Sequence, residues 1–444
     1  MSECYAANGH AHTMDGRVVH IRNNYEMLSA DFGPTLMNWM ARHGAAAYRS
    51  IRRGDALSVE QHRGHGNAIA QSYNHSILPL LSARDKEIQI AWGIEDFKFR
   101  FGRRPEGIWL PECAVDEATL AAVAEAGLAY TILSPSQGEF RPTPGQHDSG
   151  GAGPFMWRRG DLKVAVFRFD HDLAGQISFG DVLRDGAWLA DMLVDRALKL
   201  PQEAALLVAT DGETFGHHRK SGAAELARAL ERLEQRDDLM VVNCGEYLAM
   251  EPATGTFEVR YPSSWSCFHG VERWRSDCGC KFNQGTSQEW RAPLREAMDF
   301  VNNHVEQVYD RFAPQLVADP AAALKESIRL AIDVNPAVRE EFFHRHKVTG
   351  ETSQVQLLRL FEMERAAQTT LTSCAWFFDD FGGPEGRIAL RWAARAVELA
   401  AELAPSVESE LLERLRRIHS NRREVGDAAT LYLSVKTREA RGRV

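Results

Sequence analysis

The sequence lacks the features that would place a chain in a membrane, on nucleic acid or in a disulfide-stabilised scaffold. None of the apolar runs in its 444 residues approaches the ~20 residues that a membrane-spanning helix requires. The net charge of −9 provides no basic face to neutralise phosphates. Seven cysteines scattered over a long chain do not make a disulfide framework, and no apolar leader follows Met1. We therefore expect a protein of the reducing cytoplasm, with neither a membrane nor a nucleic-acid partner.

What the chain does contain is an alternation of short apolar runs with helical periods over residues 1–255. The runs are nearly continuous in Val, Ile and Leu, as expected for parallel strands that are covered on both faces. One typical intervening helix has Asp116 as its N-cap and Gly127 just after its last turn. Alternating strands and helices predict an α/β fold with a parallel sheet or barrel. The predicted strands are residues 75–81, 106–110, 128–134, 163–169, 204–210 and 239–244.

The strand pattern fades near residue 286, and long amphipathic helical periods continue from there toward the C-terminus. The stretch before that point has few long apolar runs and concentrates Trp, Cys, His, Asp and Arg. We therefore divide the chain into an α/β barrel domain at 1–260, a Cys- and Trp-rich active-site loop at 261–288 and a helical C-terminal domain at 289–444.

Carboxylates follow two of the predicted strands. In parallel α/β folds the active site lies at the carboxyl ends of the strands. Glu112 comes just after one strand, and Asp211 and Glu213 come just after another, with His217 and His218 close behind. Glycoside hydrolysis requires two carboxylates that converge on one sugar bond. The alternative is structural, with Glu112 as a helix cap and Asp211 as the first residue of a turn.

These motifs resemble those of glycoside hydrolase family 57, chiefly GIWLPE, which ends at Glu112, and ATDGETFGHH, which contains Asp211. The resemblance implies an incomplete (β/α)7 barrel followed by a helical domain. It also implies a retaining amylase, glucanotransferase or branching enzyme that acts on α-glucans without a cofactor. Glu112 would then be the nucleophile, Asp211 the acid/base and His75 a residue near the sugar. Five segments resemble a bacterial subgroup of the family, namely residues 23–40, 73–80, 92–112, 263–280 and 372–380.

One feature of the family is missing near the start of the chain. Members begin with a strand whose His-rich end finishes in Gln-Pro and helps to bind the sugar. Residues 9–13, GHAHT, contain His10 and His12, but no apolar run precedes them, and we interpret them as a loop. A barrel without this strand would expose a sheet edge, favour self-association and hold the sugar less firmly. The sequence therefore predicts weak turnover.

A cluster of potential metal ligands lies in the Cys- and Trp-rich loop: Cys267, His269, Cys278 and Cys280. Thiolates and imidazole suit zinc, but the spacing C-x-H and C-x-C matches no standard zinc finger. Three interpretations stay open, namely reduced cysteines that pack under the active site, a zinc or iron centre, and a redox-sensitive pair. We expect the cysteines to lie close together without a disulfide, and we count no metal among the expected cofactors.

Several further residues are candidates for contact with a sugar. Indole faces stack on pyranose rings, although core packing is the alternative role for each tryptophan. Asp170 follows a predicted strand, where a substrate contact and a helix cap are both compatible with its position. The candidate substrate-binding residues are His75, Trp109, Asp170, Glu213, His217, His218, Trp265, His269, Trp274, Asp277 and Trp376.

The main hypothesis from the sequence is a retaining glycoside hydrolase or glucanotransferase that binds α-glucan oligosaccharides or polysaccharides. Glu112 attacks the anomeric carbon while Asp211 protonates the leaving oxygen. One alternative is a metal-dependent carbohydrate deacetylase, for which His62 and His65 have a plausible spacing but sit in a segment typical of a loop or helix start. The other alternative is a catalytically weak or inactive glucan-binding protein.

Overall fold

A computed structural model describes residues 2–15, 18–143, 148, 150–253 and 255–442. The chain forms two compact units. The first consists of Met1–Gln71 with Arg100–Tyr261, and the second of Ser72–Phe99 with Pro262–Val444. The second unit thus takes in a segment from the N-terminal half, which the sequence pattern did not indicate. The three-part division at residues 260 and 288 stays a prediction beside this two-part division.

The first unit contains the strands β1 Ala11–Asp15, β2 Val18–Arg22, β3 Ala70–Gln71, β4 Gly107–Trp109, β5 Tyr130–Leu133, β6 Gly138–Arg141, β7 Phe155–Arg159, β8 Leu162–Arg168 and β9 Gly255–Val259. Among the described residues, β3 to β9 form a mixed seven-stranded sheet with the order β3-β4-β5-β8-β7-β9-β6, and β1 and β2 form a separate antiparallel hairpin. Strands β3, β4, β5 and β8 run parallel, whereas β7 is antiparallel to β8 and β6 is antiparallel to β9.

The centre of the sheet is apolar on both faces, as the sequence predicts for covered parallel strands. All four residues of β5 are buried, and so are the last five of β8. Tyr130 packs edge-on against Phe167, with ring centroids 5.6 Å apart. The buried hydroxyl of Thr131 donates to the Ile108 carbonyl at 2.8 Å, so even the polar side chain in β5 is satisfied. The predictions of strands at 106–110, 128–134 and 163–169 are confirmed.

Three other predicted strands are wrong. Residues 75–81 form one isolated bridge at Ser76 and a 3₁₀ turn, Leu78–Leu80, in which Pro79 removes a donor that a ladder would need. Residues 204–210 and 239–244 do not form regular strands either. The carbonyl of Ala205 still accepts a hydrogen bond from Ala152 N at 2.8 Å, and that of Leu207 accepts one from Asp170 N at 2.7 Å. That segment therefore lies beside the sheet without a full ladder.

The N-terminal GHAHT segment was expected to be a loop, and this expectation is also wrong. Residues Ala11–Asp15 pair with Val18–Arg22 as an antiparallel hairpin, with Ala11 opposite Arg22. The polar, histidine-rich sequence gave no apolar alternation by which to recognise a strand, because a two-stranded hairpin needs no buried face of its own.

Helices of the first unit connect and cover the strands. The helix predicted around residue 120 runs over Glu117–Glu125, and Asp116 accepts a hydrogen bond from Thr119 N at 2.7 Å, as a predicted N-cap should. Gly127 follows with φ +71°, the left-handed conformation that closes many helices. The α-helices are Ala7–Gly9, Pro34–His43, Ala45–Gln61, Glu117–Glu125, His171–Phe179, Gly186–Ala197, Gly222–Glu234 and Cys244–Met250.

The second unit is helical, as predicted for the C-terminal region. Its segment 72–99 is held there by specific contacts: Arg84 forms an ion pair with the buried Glu364, and Trp92 Nε1 donates to the Leu324 carbonyl at 2.8 Å. No helix among the described residues is both long and apolar enough to cross a membrane. The α-helices are Ala83–Phe101, whose last two residues belong to the first unit, Arg291–Phe312, Pro320–Ile332, Pro336–Arg345, Glu351–Thr369, Cys374–Phe377, Pro384–Ala401, Glu408–Leu415 and Ala428–Gly442.

Candidate active site

Glu112 sits on a strained turn directly after β4. It occupies the middle of the 3₁₀ turn Pro111–Cys113 and has φ 58° and ψ 23°, in the left-handed region. Cys113 follows with φ 49°. Two consecutive left-handed residues other than glycine are costly, on the order of 1–3 kcal/mol each, and such strain concentrates at functional sites. Gln137 fixes the turn, because its Nε2 donates to the Cys113 carbonyl at 2.6 Å. The carboxylate that the sequence placed at a strand end is therefore held in one defined position.

Asp211 begins the 3₁₀ turn Gly212–Thr214 after the segment that runs beside the sheet. Its backbone carbonyl accepts from Thr214 N at 3.1 Å, but its carboxylate makes no capping hydrogen bond. The residue is exposed to solvent, yet the protein atoms around the carboxylate still remove part of its hydration. This partial burial raises the pKa of Asp211, the carboxylates of Glu112 and Glu213 raise it further, and His218 opposes the shift.

Glu112 and Asp211 lie near enough for their charges to interact. Burial is the largest cause of the raised pKa of Asp211, and the Glu112 carboxylate adds to it. The same pair also raises the pKa of the buried Cys113 thiol, after the larger effect of burial. Pairs of carboxyl groups whose environments differ are the usual basis for one acid and one nucleophile at neutral pH.

Asp31 belongs to the same group of acids, although it was not among the residues predicted from the sequence. Burial raises its pKa to about 7, and the charges of Glu213 and Asp211 add to that rise. Gln71, the last residue of β3, hydrogen-bonds to Asp31 at 2.6 Å when its amide is oriented to satisfy both of its partners. Asp31 follows no apolar strand in the sequence, so its only signal was its place in a segment that resembles the family.

The N-terminal segment, Ser2–Gly9, packs on the turn that carries Asp211. The Tyr5 hydroxyl donates to the Glu213 carboxylate. The Cys4 thiol contacts the Gly212 carbonyl at 3.4 Å, and Asn8 Nδ2 donates to the Phe215 carbonyl at 2.7 Å. Composition gave no sign of this contact, which fixes Glu213 through a residue more than 200 positions away in the chain.

The other predicted residues of the first unit divide between the site and the scaffold. The charge of His218 opposes the rise in the pKa of Asp211. His217 and His218 are both exposed. Trp109 ends β4 and is half-buried. Asp170 is a helix cap: it accepts from Leu173 N at 3.0 Å and forms an ion pair with Arg196 at 2.6 Å. Of its two roles that the sequence left open, the cap is the one observed.

The remaining candidates lie in the second unit. His75 has φ 54°, and its Nδ1 hydrogen-bonds to Ser373 Oγ at 2.6 Å. Trp274 and Trp376 are 0% and 1% exposed, so their rings belong to the core and present no face to a ligand. Trp265 is half-buried, and His269 and Asp277 are exposed.

The histidines considered for a metal-dependent deacetylase have carboxylate partners in the first unit. His62 Nδ1 contacts Glu246 at 2.7 Å, and His65 Nδ1 contacts Glu106 at 2.7 Å. The one group of described residues with metal-binding proximity is the cysteine cluster of the second unit, Cys267, His269, Cys278 and Cys280. Its sulfurs lie close together, as expected, with that of Cys267 3.9 Å from Cys278 and 3.8 Å from Cys280.

Two family models match separate parts of the chain. The family model described as Glycosyl hydrolase family 57 matches residues 56–260, which include Glu112 and Asp211. The model of a domain of unknown function (DUF3536) matches residues 287–440. Residues 56–260 are therefore similar to glycoside hydrolase family 57.

Relatives and solved structures match parts of the chain to different extents. Alpha-amylase 1 of Dictyoglomus thermophilum is 23% identical over 189 residues, which cover 43% of this chain and 26% of that protein. A 1,4-alpha-glucan branching enzyme of Thermococcus kodakarensis is 46% identical over 56 residues, 12% of this chain and 8% of the enzyme. The chain thus matches about a quarter or less of the length of these curated relatives.

The structural likeness extends much further along the chain. The crystal structure of an exo-type maltose-forming amylase from Pyrococcus sp. ST04 has a TM-score of 0.66. The match covers 96% of this chain and 82% of the amylase chain, at 15% sequence identity. At this identity the likeness shows a common fold, and it confirms the predicted α/β architecture with its helical C-terminal region.

Proposed function

We propose that this chain is a retaining glycoside hydrolase or glucanotransferase that acts on α-glucans, with Glu112 as nucleophile and Asp211 as acid/base. The observation that best supports the proposal is the electrostatic coupling of the two groups. Glu112 contributes to a raised pKa at Asp211, so that Asp211 retains a proton more readily. A retaining mechanism needs one ionised and one protonated carboxyl on either side of the scissile bond.

Each residue has a defined part in the two steps. In the first, the Glu112 carboxylate attacks the anomeric carbon, the glycosidic bond breaks, and Asp211 gives its proton to the leaving oxygen. In the second, ionised Asp211 takes a proton from water or from a sugar hydroxyl, which attacks the glycosyl–Glu112 ester and frees Glu112. The proton that leaves Asp211 in the first step is thereby replaced in the second.

Neighbouring acids support the protonated state of Asp211. Glu213 raises the pKa of Asp211 directly, and Asp31 lies close enough to both for their charges to affect its own pKa. A site with several close carboxyl groups binds protons more tightly than isolated groups would. His218, whose positive form would oppose this effect, is exposed and is suited to contact a substrate at the rim.

The proposed substrate class comes from the relatives. Their names describe an alpha-amylase, a 1,4-alpha-glucan branching enzyme and a maltose-forming amylase, which all act on α-glucans. For this chain we propose linear α-1,4-linked oligosaccharides. Hydrolysis and transfer differ only in whether water or a sugar hydroxyl attacks the glycosyl–Glu112 intermediate.

The test is turnover of maltoheptaose, followed by chromatography of the products, for the wild type and for Glu112→Gln and Asp211→Asn. Each substitution removes a group of the reaction and should lower kcat by a factor of about 10² or more. Glu258→Gln and Asp238→Asn are matched controls on exposed ion pairs, and they should leave kcat unchanged. Added azide should partly rescue Glu112→Gln if Glu112 is the nucleophile. If the wild type converts no α-glucan, or if Glu112→Gln keeps wild-type kcat, the proposal is wrong.

A further inference from the structure

Four side chains with soft ligand atoms converge in the second unit. Cys267, His269, Cys278 and Cys280 each offer one atom, and these atoms all lie within 4.8 Å of one another. The Cys267 sulfur is 3.9 Å from that of Cys278 and 3.8 Å from that of Cys280. The Cys280 sulfur is 3.6 Å from His269 Nδ1. Separations of this size are informative, because ligands of one metal ion have a fixed spacing.

Tetrahedral zinc predicts the same spacing. With Zn–S bonds of about 2.3 Å and Zn–N bonds of about 2.05 Å, the edges of a tetrahedron are about 3.8 Å between sulfurs and about 3.6 Å between sulfur and nitrogen. Three of the six ligand separations, 3.9, 3.8 and 3.6 Å, agree within 0.2 Å, and the other three are at most 4.8 Å. Three thiolates and one imidazole are a common ligand set for structural zinc, and they leave no coordination position open.

The alternative explanations fit the cluster less well. A disulfide needs a sulfur separation of about 2.05 Å, much shorter than the distances observed. Simple packing of reduced cysteines explains the buried Cys267, but not why the half-buried Cys278 and Cys280 and the exposed His269 turn toward it. Exposed polar side chains gain little from convergence unless they share a ligand.

Groups around the cluster are suited to a site with excess negative charge. Three thiolates on a divalent ion carry one net negative charge. Arg291 and Arg273 are buried next to it, and Arg291 Nη1 donates to the Cys280 carbonyl at 3.0 Å. Charged groups and hydrogen-bond donors around the ligands are a regular part of metal sites.

From this geometry we propose that Cys267, His269, Cys278 and Cys280 bind one structural zinc ion. The segment from 262 to 288 has few apolar residues to form a core of its own. A metal joining positions 267–269 to 278–280 would close it into a fixed loop and replace the missing core. Phe282 and Asn283 then continue from the loop, where their N–H groups bind the Asp379 carboxylate at 2.9 and 2.6 Å.

The direct test is the metal content of the full-length protein, purified without chelator and analysed for all transition metals. We expect about one zinc per chain in the wild type. Cys278→Ser and Cys280→Ser should lower zinc affinity at least a hundredfold, since even loss of an outer partner costs about 10–100-fold. Cys374→Ser removes an exposed thiol of the same unit outside the cluster and should keep full zinc. His269→Cys, which supplies a fourth thiolate, should also keep the metal.

Cobalt gives a second readout that does not depend on enzymatic activity. Cobalt(II) loaded into apo protein should show intense visible bands and a thiolate charge-transfer band, the signature of tetrahedral sulfur coordination, and Cys280→Ser should weaken both. Wild-type protein with less than about a tenth of an equivalent of zinc, and with no zinc uptake in a chromophore competition, would overturn the proposal. So would iron as the metal found, or a disulfide within the cluster by mass spectrometry.

Discussion

The Glu112 carboxylate, after the larger effect of burial, raises the pKa of Asp211. The two residues lie far apart in the sequence, Glu112 in the turn Pro111–Cys113 and Asp211 at the start of the turn Gly212–Thr214. The relationship depends on two unusual local features. Glu112 is held in a left-handed turn, and the Asp211 side chain is left out of the cap that its backbone forms. The first feature costs stability and the second forgoes a capping hydrogen bond, and such local costs are common at functional sites.

The coupling predicts how the pH profile responds to a neighbouring charge. In Glu213→Gln both proposed catalytic groups remain, but one of the charges that raise the pKa of Asp211 is gone. Asp211 then loses its proton at lower pH, and an acid that must be protonated stops working earlier. The alkaline limb of kcat/KM should therefore move to lower pH. Measurement of kcat/KM on maltoheptaose across pH tests this, with Glu258→Gln as a control that should not move the limb. A shift to higher pH would contradict the assignment.

Asp31 should make the folded protein less stable as pH rises. Its pKa of about 7 lies above the ordinary value, so the folded chain holds this proton more tightly than the unfolded chain does. The stabilisation is complete below about pH 4 and is lost as pH rises toward 7, by on the order of 2–4 kcal/mol.

Asp31→Asn keeps an amide that can meet Gln71 but has no proton to lose. The free energy of unfolding of this variant, relative to wild type, should rise between pH 4.5 and 7.5 and then level off. Urea unfolding at several pH values measures the difference, with the exposed Asp238→Asn as control. A difference that does not change with pH would mean that Asp31 is ionised throughout.

Asp170 allows the cap and substrate roles to be separated. Asp170→Ala removes both the hydrogen bond to Leu173 N and the ion pair with Arg196, and should lower the free energy of unfolding by about 1 kcal/mol. Asp170→Asn keeps an oxygen for the cap and should lose less. Because we assign the residue to the scaffold, KM for maltoheptaose should stay within about twofold in both variants. A large increase in KM with unchanged stability would assign Asp170 to the sugar site instead.

The sequence predicts those parts of the molecule that depend on local pattern. The strands around Thr131 and Val166 were recognisable because covered parallel strands are nearly continuous in apolar residues. The position of Glu112 followed from its strand. Asp31 was not predictable, since a contact with Gln71 across 40 positions brings it to the site. Trp376 could not be assigned either, because its local sequence does not distinguish a ring in the core from a ring that faces a sugar.

The cysteine cluster shows the same limit in another form. The spacing C-x-H and C-x-C argued against a standard zinc finger, yet the fold brings all four side chains together. Sequence spacing describes only those metal sites whose loops follow a known template. In this chain the loop is shaped by long-range contacts, such as that of Arg273 Nε with the Phe377 carbonyl at 3.1 Å.

The N-terminal segment, Ser2–Gly9, can pack against the turn that carries Asp211 only because Gly216 has no side chain. Gly216 has φ +135°, and a Cβ atom there would lie 1.9 Å from the Glu3 carbonyl oxygen. Gly216→Ala therefore forces Ser2–Gly9 away from the turn, at a cost of roughly 1–3 kcal/mol. Gly212→Ala is a matched control in the same turn, because a Cβ atom at Gly212 meets nothing within 4 Å.

Hydrogen exchange of the peptide that spans Ser2–Gly9 measures the effect directly. We expect faster exchange in Gly216→Ala and wild-type exchange in Gly212→Ala. Because Tyr5 holds Glu213 through its hydroxyl, release of the segment should also lower kcat/KM on maltoheptaose. Tyr5→Phe should reproduce part of this loss without increasing the exchange, since it removes the hydrogen bond and keeps the packing. Unchanged protection of the segment in Gly216→Ala would show that it is not held against the turn in solution.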